Sequence, residues 1–313
     1  MATFLRDVAE YVAPGSAALR EGLTALSALY ARGNGPTDLI LGLHCLYCAA
    51  VLRMPELHAG GHRWLLSFWA VFAGAFGGGT LTALLMMRPD MAPVPAFVDA
   101  RLLPYIAAAW YFVHYTRLGA WLLGLPLVRF ICRLATTYCR AGLICARAEM
   151  AASLYPGVVG AHLLLGTIAG TGGTLLCDAI KHALGGLARP AELSAPSWAL
   201  RSGFLGATVY LSAVHYLPQE FQLEPLQAKA LVTTILLLQA VLSTLWGAEI
   251  DLTRPLDAAF HALSGIPPFP QPLPPSAQQP AAPKAKANRS SKAKAAPADA
   301  VESDSSVSQK KTK

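Results

Sequence analysis

Gly74-Ala75-Phe76-Gly77-Gly78-Gly79-Thr80-Leu81 and Gly166-Thr167-Ile168-Ala169-Gly170-Thr171-Gly172-Gly173-Thr174-Leu175 are two glycine-rich stretches, each set inside a long apolar run. The string Gly-Gly-Thr-Leu stands at 78–81 and again at 172–175. A glycine costs roughly 1 kcal/mol of helix propensity relative to alanine, and close helix packing seldom asks for three in a row. Two copies at matching places therefore point to a repeat, and to a helix that breaks at each copy. A break frees main-chain carbonyls, which is tolerated only inside protein or beside water. Such carbonyls are natural ligands for a passing cation. Gly77, Gly78, Gly79 and Thr80, with Gly170, Gly172, Gly173 and Thr174, are thus the expected pore or hinge residues.

The composition around these copies is that of a membrane protein. Of 313 residues, 54% are apolar and only 14% charged, where a soluble domain carries roughly 25% charged. The mean hydropathy of +0.42 includes a polar tail that lowers it. A span needs about 20 mostly apolar residues, and seven stretches qualify. They are Leu39–Leu52, Trp64–Met87, Leu102–Leu125, Leu127–Met150, Val158–Leu184, Trp198–Leu217 and Ala228–Gly247. The glycine copies fall in the second and fifth, three spans apart. Two sets of three would then face opposite ways across the bilayer, a plan common among transport proteins. The fold class expected is all-α and membrane-integral, an inverted 3+3 repeat plus one helix. Residues 1–37 read as an amphipathic surface segment, 38–262 as the seven-helix domain, and 263–313 as a disordered basic tail.

Loop charge sets orientation. Arg53 and Arg63 follow the first span, and Lys181, Arg189 and Arg201 surround the loop after the fifth. From Ile266 onward eight Lys/Arg face three Asp/Glu, which accounts for most of the net charge of +7. With seven spans, one arrangement satisfies these biases: N-terminus lumenal or outside, C-terminus cytosolic. The basic balance thus belongs to the tail and is no argument for a nucleic-acid partner.

Span four carries Arg129, Arg133, Arg140 and Arg147. At 100° per residue they fall near 0°, ~40°, ~20° and ~0°, with Thr136 near ~340°, so all five share one stripe. An intramembrane arginine costs at least ~2.5 kcal/mol on insertion scales. The stripe must therefore face water or an anionic group. The end members, Arg129 and Arg147, read as snorkelling; Arg133 and Arg140 read as functional, holding an anionic lipid headgroup, lining a wide vestibule or sensing voltage. The four intraspan histidines, His44, His114, His162 and His215, read as hydrogen-bonded packing residues, and Asp178 as a partner of Lys181. Six cysteines, among them Cys45 and Cys48 as a lone CxxC, read as reduced core residues. No HExxH, carboxylate pair or Ser/His/Asp set is present, so neither an enzyme nor a metal site or cofactor is expected.

This pattern resembles the trimeric intracellular cation channel family. His62-Arg63-Trp64 opens span two where the family has a His-Pro and Trp segment. Gly79 to Arg88-Pro89 resembles its glycine, apolar run and Glu-Pro ending. Trp110-Tyr111 matches a Trp-Tyr, Leu125-Pro126-Leu127-Val128-Arg129 resembles Leu-Pro-Val-Lys, and Pro255-Leu256-Asp257-Ala258 resembles Pro-Phe-Asp-Ala. The likeness runs over 36–262. It departs where animal members carry Lys-Glu-Val, here Thr136-Thr137-Tyr138. The arginine that meets a phosphoinositide there corresponds to Arg140, with Arg133 in place of the lost lysine. Two acidic positions of the family correspond to Ala83 and Gly119. The resemblance implies a homotrimer in the endoplasmic reticulum membrane, each protomer with its own potassium-permeable pore giving counter-ion current during calcium release. Lys310-Lys311-Thr312-Lys313 resembles a retrieval signal for that compartment.

Overall fold

The computed structural model describes residues 18, 20–28, 37–53, 64–88, 92, 94–183, 192, 196–246, 252, 253, 255, 258, 262 and 265. Arg63, Arg189, Asp257 and the dilysine lie outside them, as does almost all of 263–313 and most of 1–37.

Besides helical residues 20–28, the described residues form α1 Asp38–Val51, α2 Trp64–Met86, α3 Leu102–Tyr115, α4 Arg117–Leu122, α5 Pro126–Leu154, α6 Val159–Ala183, α7 Trp198–Leu211 and α8 Pro225–Leu245. The seven expected spans map onto α1, α2, α3 with α4, α5, α6, α7 and α8. Of these, α2, α6 and α8 are long and apolar enough to cross a membrane. At 29 residues α5 is the longest, about 43 Å by the helical rise, and it owes its polarity to the arginines.

Local chemistry fixes where the helices start. The Thr37 hydroxyl caps α1 by accepting the Ile40 N–H. Pro126 and Pro225 occupy first-turn positions of α5 and α8, where a missing N–H is harmless. Glu224 and Gln227 form a reciprocal capping box on α8. Helical residues 20–28 rest against this corner: Gln227 donates to Thr24 Oγ1 at 2.9 Å, and the Arg20 guanidinium donates to the Glu220 carbonyl.

The expected breaks at the glycines do not occur. Helix α2 runs unbroken through Gly77–Gly79, and α6 through Gly170–Gly173. The glycines instead let the two helices touch main chain to main chain. A Cβ added at Gly78 would stand 2.0 Å from the Ala169 carbonyl oxygen, and one at Gly173 2.2 Å from the Gly74 oxygen. At Gly172 it would meet the Gly78 Cα at 2.7 Å, and at Gly77 the Leu176 side chain at 2.8 Å. This is small-residue packing. The Thr80 and Thr82 hydroxyls donate back to the Phe76 and Gly78 carbonyls, so these oxygens are occupied rather than bare.

Irregular backbone lies instead in the third helix of each set. The third expected span is split at Thr116, whose hydroxyl donates to the Phe112 carbonyl at 2.6 Å and accepts the Gly119 N–H at 3.0 Å. A Cβ at Gly119 would fall 2.2 Å from that same carbonyl oxygen, so no side chain fits inside this bend. In the second set α7 passes into a π-helical turn, Ser212–Tyr216.

Candidate functional site

A cavity of about 700 Å³ lies among α1, α2, α5 and α6, with the starts of α7 and α8 closing one side. Its walls carry apolar and small residues, including Leu41, Phe76, Gly78, Ala169, Gly170, Gly173 and Thr174. Its charged lining is Arg133, Arg140, Lys181 and Lys229 against Asp178 and Glu192. The field inside is therefore positive.

Of the expected glycine-copy residues, Gly78, Gly170, Gly173 and Thr174 border this space, whereas Gly77, Gly79, Thr80 and Gly172 do not. Of the stripe, Arg133, Thr136 and Arg140 border it. Arg129, exposed in the first turn of α5, does not. The reason is geometric. Arg129 lies in the exposed first turn of α5, while Arg133 reaches the end of α8 and Arg140 the start of α7.

Each inner arginine is held by neutral groups. Arg133 donates to Ser243 Oγ at 2.8 Å and Thr244 Oγ1 at 3.0 Å, both at the end of α8. Arg140 donates to Ser202 Oγ at 2.7 Å and to the Ala199 carbonyl, and its guanidinium lies 5.2 Å from the Trp198 ring centroid. Its Nε is buried without a hydrogen-bond partner among the described residues. Oxygen dipoles thus hold both cations in place, and the Trp198 face adds to Arg140. The Glu192 carboxylate acts on Arg140 through charge without bonding to it.

The carboxylates are engaged elsewhere. Asp178 accepts the Glu192 N–H at 2.7 Å, and Glu192 accepts the Ser197 N–H at 3.1 Å. The expected Asp178–Lys181 ion pair is absent among the described residues; Asp178 ties down the connection before α7 instead.

The histidines bridge helices. His44, buried, donates from Nε2 to the Ala75 carbonyl at 3.2 Å, which leaves Nδ1 to accept from Thr136 at 3.3 Å. His114 joins the Ala49 carbonyl and Ser67 at 3.0 Å each, and His162 joins the Tyr155 carbonyl and the Tyr216 hydroxyl at 2.7 Å each. His215 meets Glu149 at 2.9 Å, with the Tyr210 hydroxyl on the same carboxylate oxygen at 3.1 Å. All six cysteines are free, and five are buried.

Sequence reasoning missed Glu192, Trp198 and Lys229 as wall residues. For Lys229 the signal was present: Glu224-Pro225 with Gln227 marks a helix start, which sets Lys229 a full turn inside α8 rather than in the preceding loop.

The fold defined by this arrangement is that of the trimeric intracellular cation channels. A TRIC counter-ion channel active in calcium release superposes with a TM-score of 0.61 at 20% identity, over 71% of this chain and 98% of its own. A trimeric intracellular cation channel from C. elegans without Ca2+ gives 0.59 at 15% identity, over 74% of this chain and 99% of its own. Such a channel from C. elegans with bound Ca2+ gives 0.55 at 16% identity, covering 72% and 97%. No family model and no curated protein sequence matches the chain.

Proposed function

We propose that this chain is a passive, potassium-permeable monovalent cation channel of the endoplasmic reticulum or another intracellular membrane. It works as a homotrimer with one pore per protomer, and it supplies counter-ion current during calcium release. The observation that carries this reading is the near-complete coverage of solved cation channels by the fold, joined to the large charged cavity inside the bundle. Because α2 and α6 are unbroken, the path is bordered by side chains of α1, α5 and α8, not by freed glycine carbonyls. The glycine seam serves as its rigid back wall.

A cation path through a positive cavity needs an anion close by. An anionic phospholipid headgroup, a phosphoinositide being the expected one, fits the guanidiniums of Arg133 and Arg140 beside Thr136. Charge-assisted bonds of this kind are the strong ones. Arg129, at the exposed helix start, adds surface attraction for anionic lipid.

Protein reconstituted in liposomes should pass potassium with ohmic single-channel steps. Arg140→Ala should weaken phosphoinositide binding or shift the voltage dependence; no change in either would remove the role given to the stripe. A second reading, an inverted-repeat secondary transporter or lipid-moving protein, is favoured by the width and apolar walls of the cavity. Saturable flux coupled to a second solute would select it.

A further inference from the structure

Three of the four cations on the cavity wall have an evident electrostatic setting. Arg133 and Arg140 are bonded to hydroxyl and carbonyl oxygens. Lys181 sits in the last turn of α6, where the negative end of the helix dipole favours a cation. Lys229 has none of these. It is half-buried one turn in from the start of α8, near the end of a helix that disfavours positive charge. Its ammonium has no hydrogen-bond or ion-pair partner among the described residues. The two acids on the cavity wall are engaged in main-chain bonds, Asp178 with the Glu192 N–H and Glu192 with the Ser197 N–H. Glu224 caps α8 with Gln227, and Glu149 holds Tyr210 and His215. Across the gap stands Gly142, where an added Cβ would lie 3.7 Å from Lys229 Cε and 4.0 Å from Nζ. The facing wall thus leaves room for the ammonium, and α8 is one of the helices apolar enough to cross a membrane. A lysine without such a partner on a helix of this kind is costly and calls for a function.

We infer that Lys229 is the fixed charge that makes the path discriminate monovalent from divalent cations. The inference rests on the conduction reading above. A positive charge beside the path raises the energy of a passing ion in proportion to its valence. A barrier that slows potassium modestly therefore acts with its square, as a rate factor, on a divalent ion. A counter-ion pathway in a calcium-releasing membrane needs this property, since a calcium leak would defeat it.

The test is a planar-bilayer recording of the full chain, with potassium chloride on one side and barium chloride on the other, for the parent, Lys229→Gln and Lys229→Arg. Neutralisation should raise the barium-to-potassium permeability ratio about tenfold, the order expected for one unit charge several ångströms from the path. The arginine variant should keep the parental ratio. Lys229→Met, which preserves the stem and drops the charge, replaces the glutamine variant if that one does not assemble. A parent that conducts while neutral and arginine variants share its ratio overturns the role of Lys229 and leaves the channel reading standing. A parent that carries no current removes the channel reading, and this inference with it.

Discussion

The second set of helices, α5 to α7, closes around its middle member, while the first set, α1 to α4, stands open around its own. Helix α6 packs along both α5 and α7, whereas α2 meets α1 and α3 over short stretches and makes its longest contact with α6 in the other set. The materials differ in the same sense. The core of the second set is rich in small residues, Ala141, Ala148 and Ala207 among them. That of the first has Phe72, Phe76 and Ile106, with Phe68 and Trp110 packed against it. Small residues let helix axes approach closely; bulky rings hold them apart. The cavity lies where the first set parts, between α1 and α2, and takes its charge from the second set and, through Lys229, from α8. One repeat gives space and the other gives polarity, which an even pair of halves would not do.

The comparison depends on the α2–α6 seam that joins the sets, so the largest expected effect is there. In Gly78→Ala the new methyl meets the Ala169 carbonyl oxygen at 2.0 Å, with main chain on both sides. Neither can swing away, so destabilisation of about 3 kcal/mol or more is expected from overpacking. Gly79→Ala, one residue on, meets only the Pro95 ring at 3.1 Å. It should range from neutral to about 1 kcal/mol more stable, because alanine favours the helix. Thermal unfolding of both variants in detergent checks the pair; equal tolerance would mean that no such seam exists.

A smaller effect is expected at Arg140, which ties α5 to α7 in the closed set. Arg140→Met keeps much of the volume and gives up a part-buried charge. The lost bonds to Ser202 and Ala199 and the relief of desolvation oppose each other, so stability should stay within about 1 kcal/mol of the parent. Lipid binding, measured by flotation with phosphoinositide vesicles, should fall sharply. A severe loss of stability with lipid binding intact in the folded fraction would make Arg140 a structural post and return both halves to the same footing.

These contrasts show how much was legible beforehand. Apolar runs located the long helices, since burial in lipid leaves a one-dimensional trace, though not the split of the third expected span at Thr116. The identity of the glycine copies was also legible, but not their use. A triple glycine looks the same whether a helix breaks or another helix lies against it, and only the partner's position decides. The stripe was readable from the spacing of Arg133, Thr136 and Arg140, because helical periodicity is local. Trp198, Glu192 and Lys229 reach the cavity from elements far along the chain, and no spacing rule joins Arg140 to Trp198 across the α6 helix.

The smallest effect tests the rim of the open set. Where α1 and α3 begin, Arg101 donates to Asp38 at 2.9 Å and to Asp99 at 2.8 Å, with Arg101 and Asp38 exposed and Asp99 partly so. The hydrogen bonds from Arg101 hold the Asp99 carboxyl below the ordinary carboxylate range. A carboxylate with a depressed folded-state pKa contributes stability above its unfolded value and loses it as pH falls through the folded one. Solvent screening keeps that contribution small. Melting temperatures of the parent and Asp99→Asn should therefore differ slightly at neutral pH and converge as the pH drops below the ordinary aspartate range. High salt should also shrink the difference. A gap that persists in acid would place the effect of Asp99 in its main-chain bond to the Arg101 N–H, at 3.0 Å, rather than in charge. The open set would then be held at its rim by turn geometry alone.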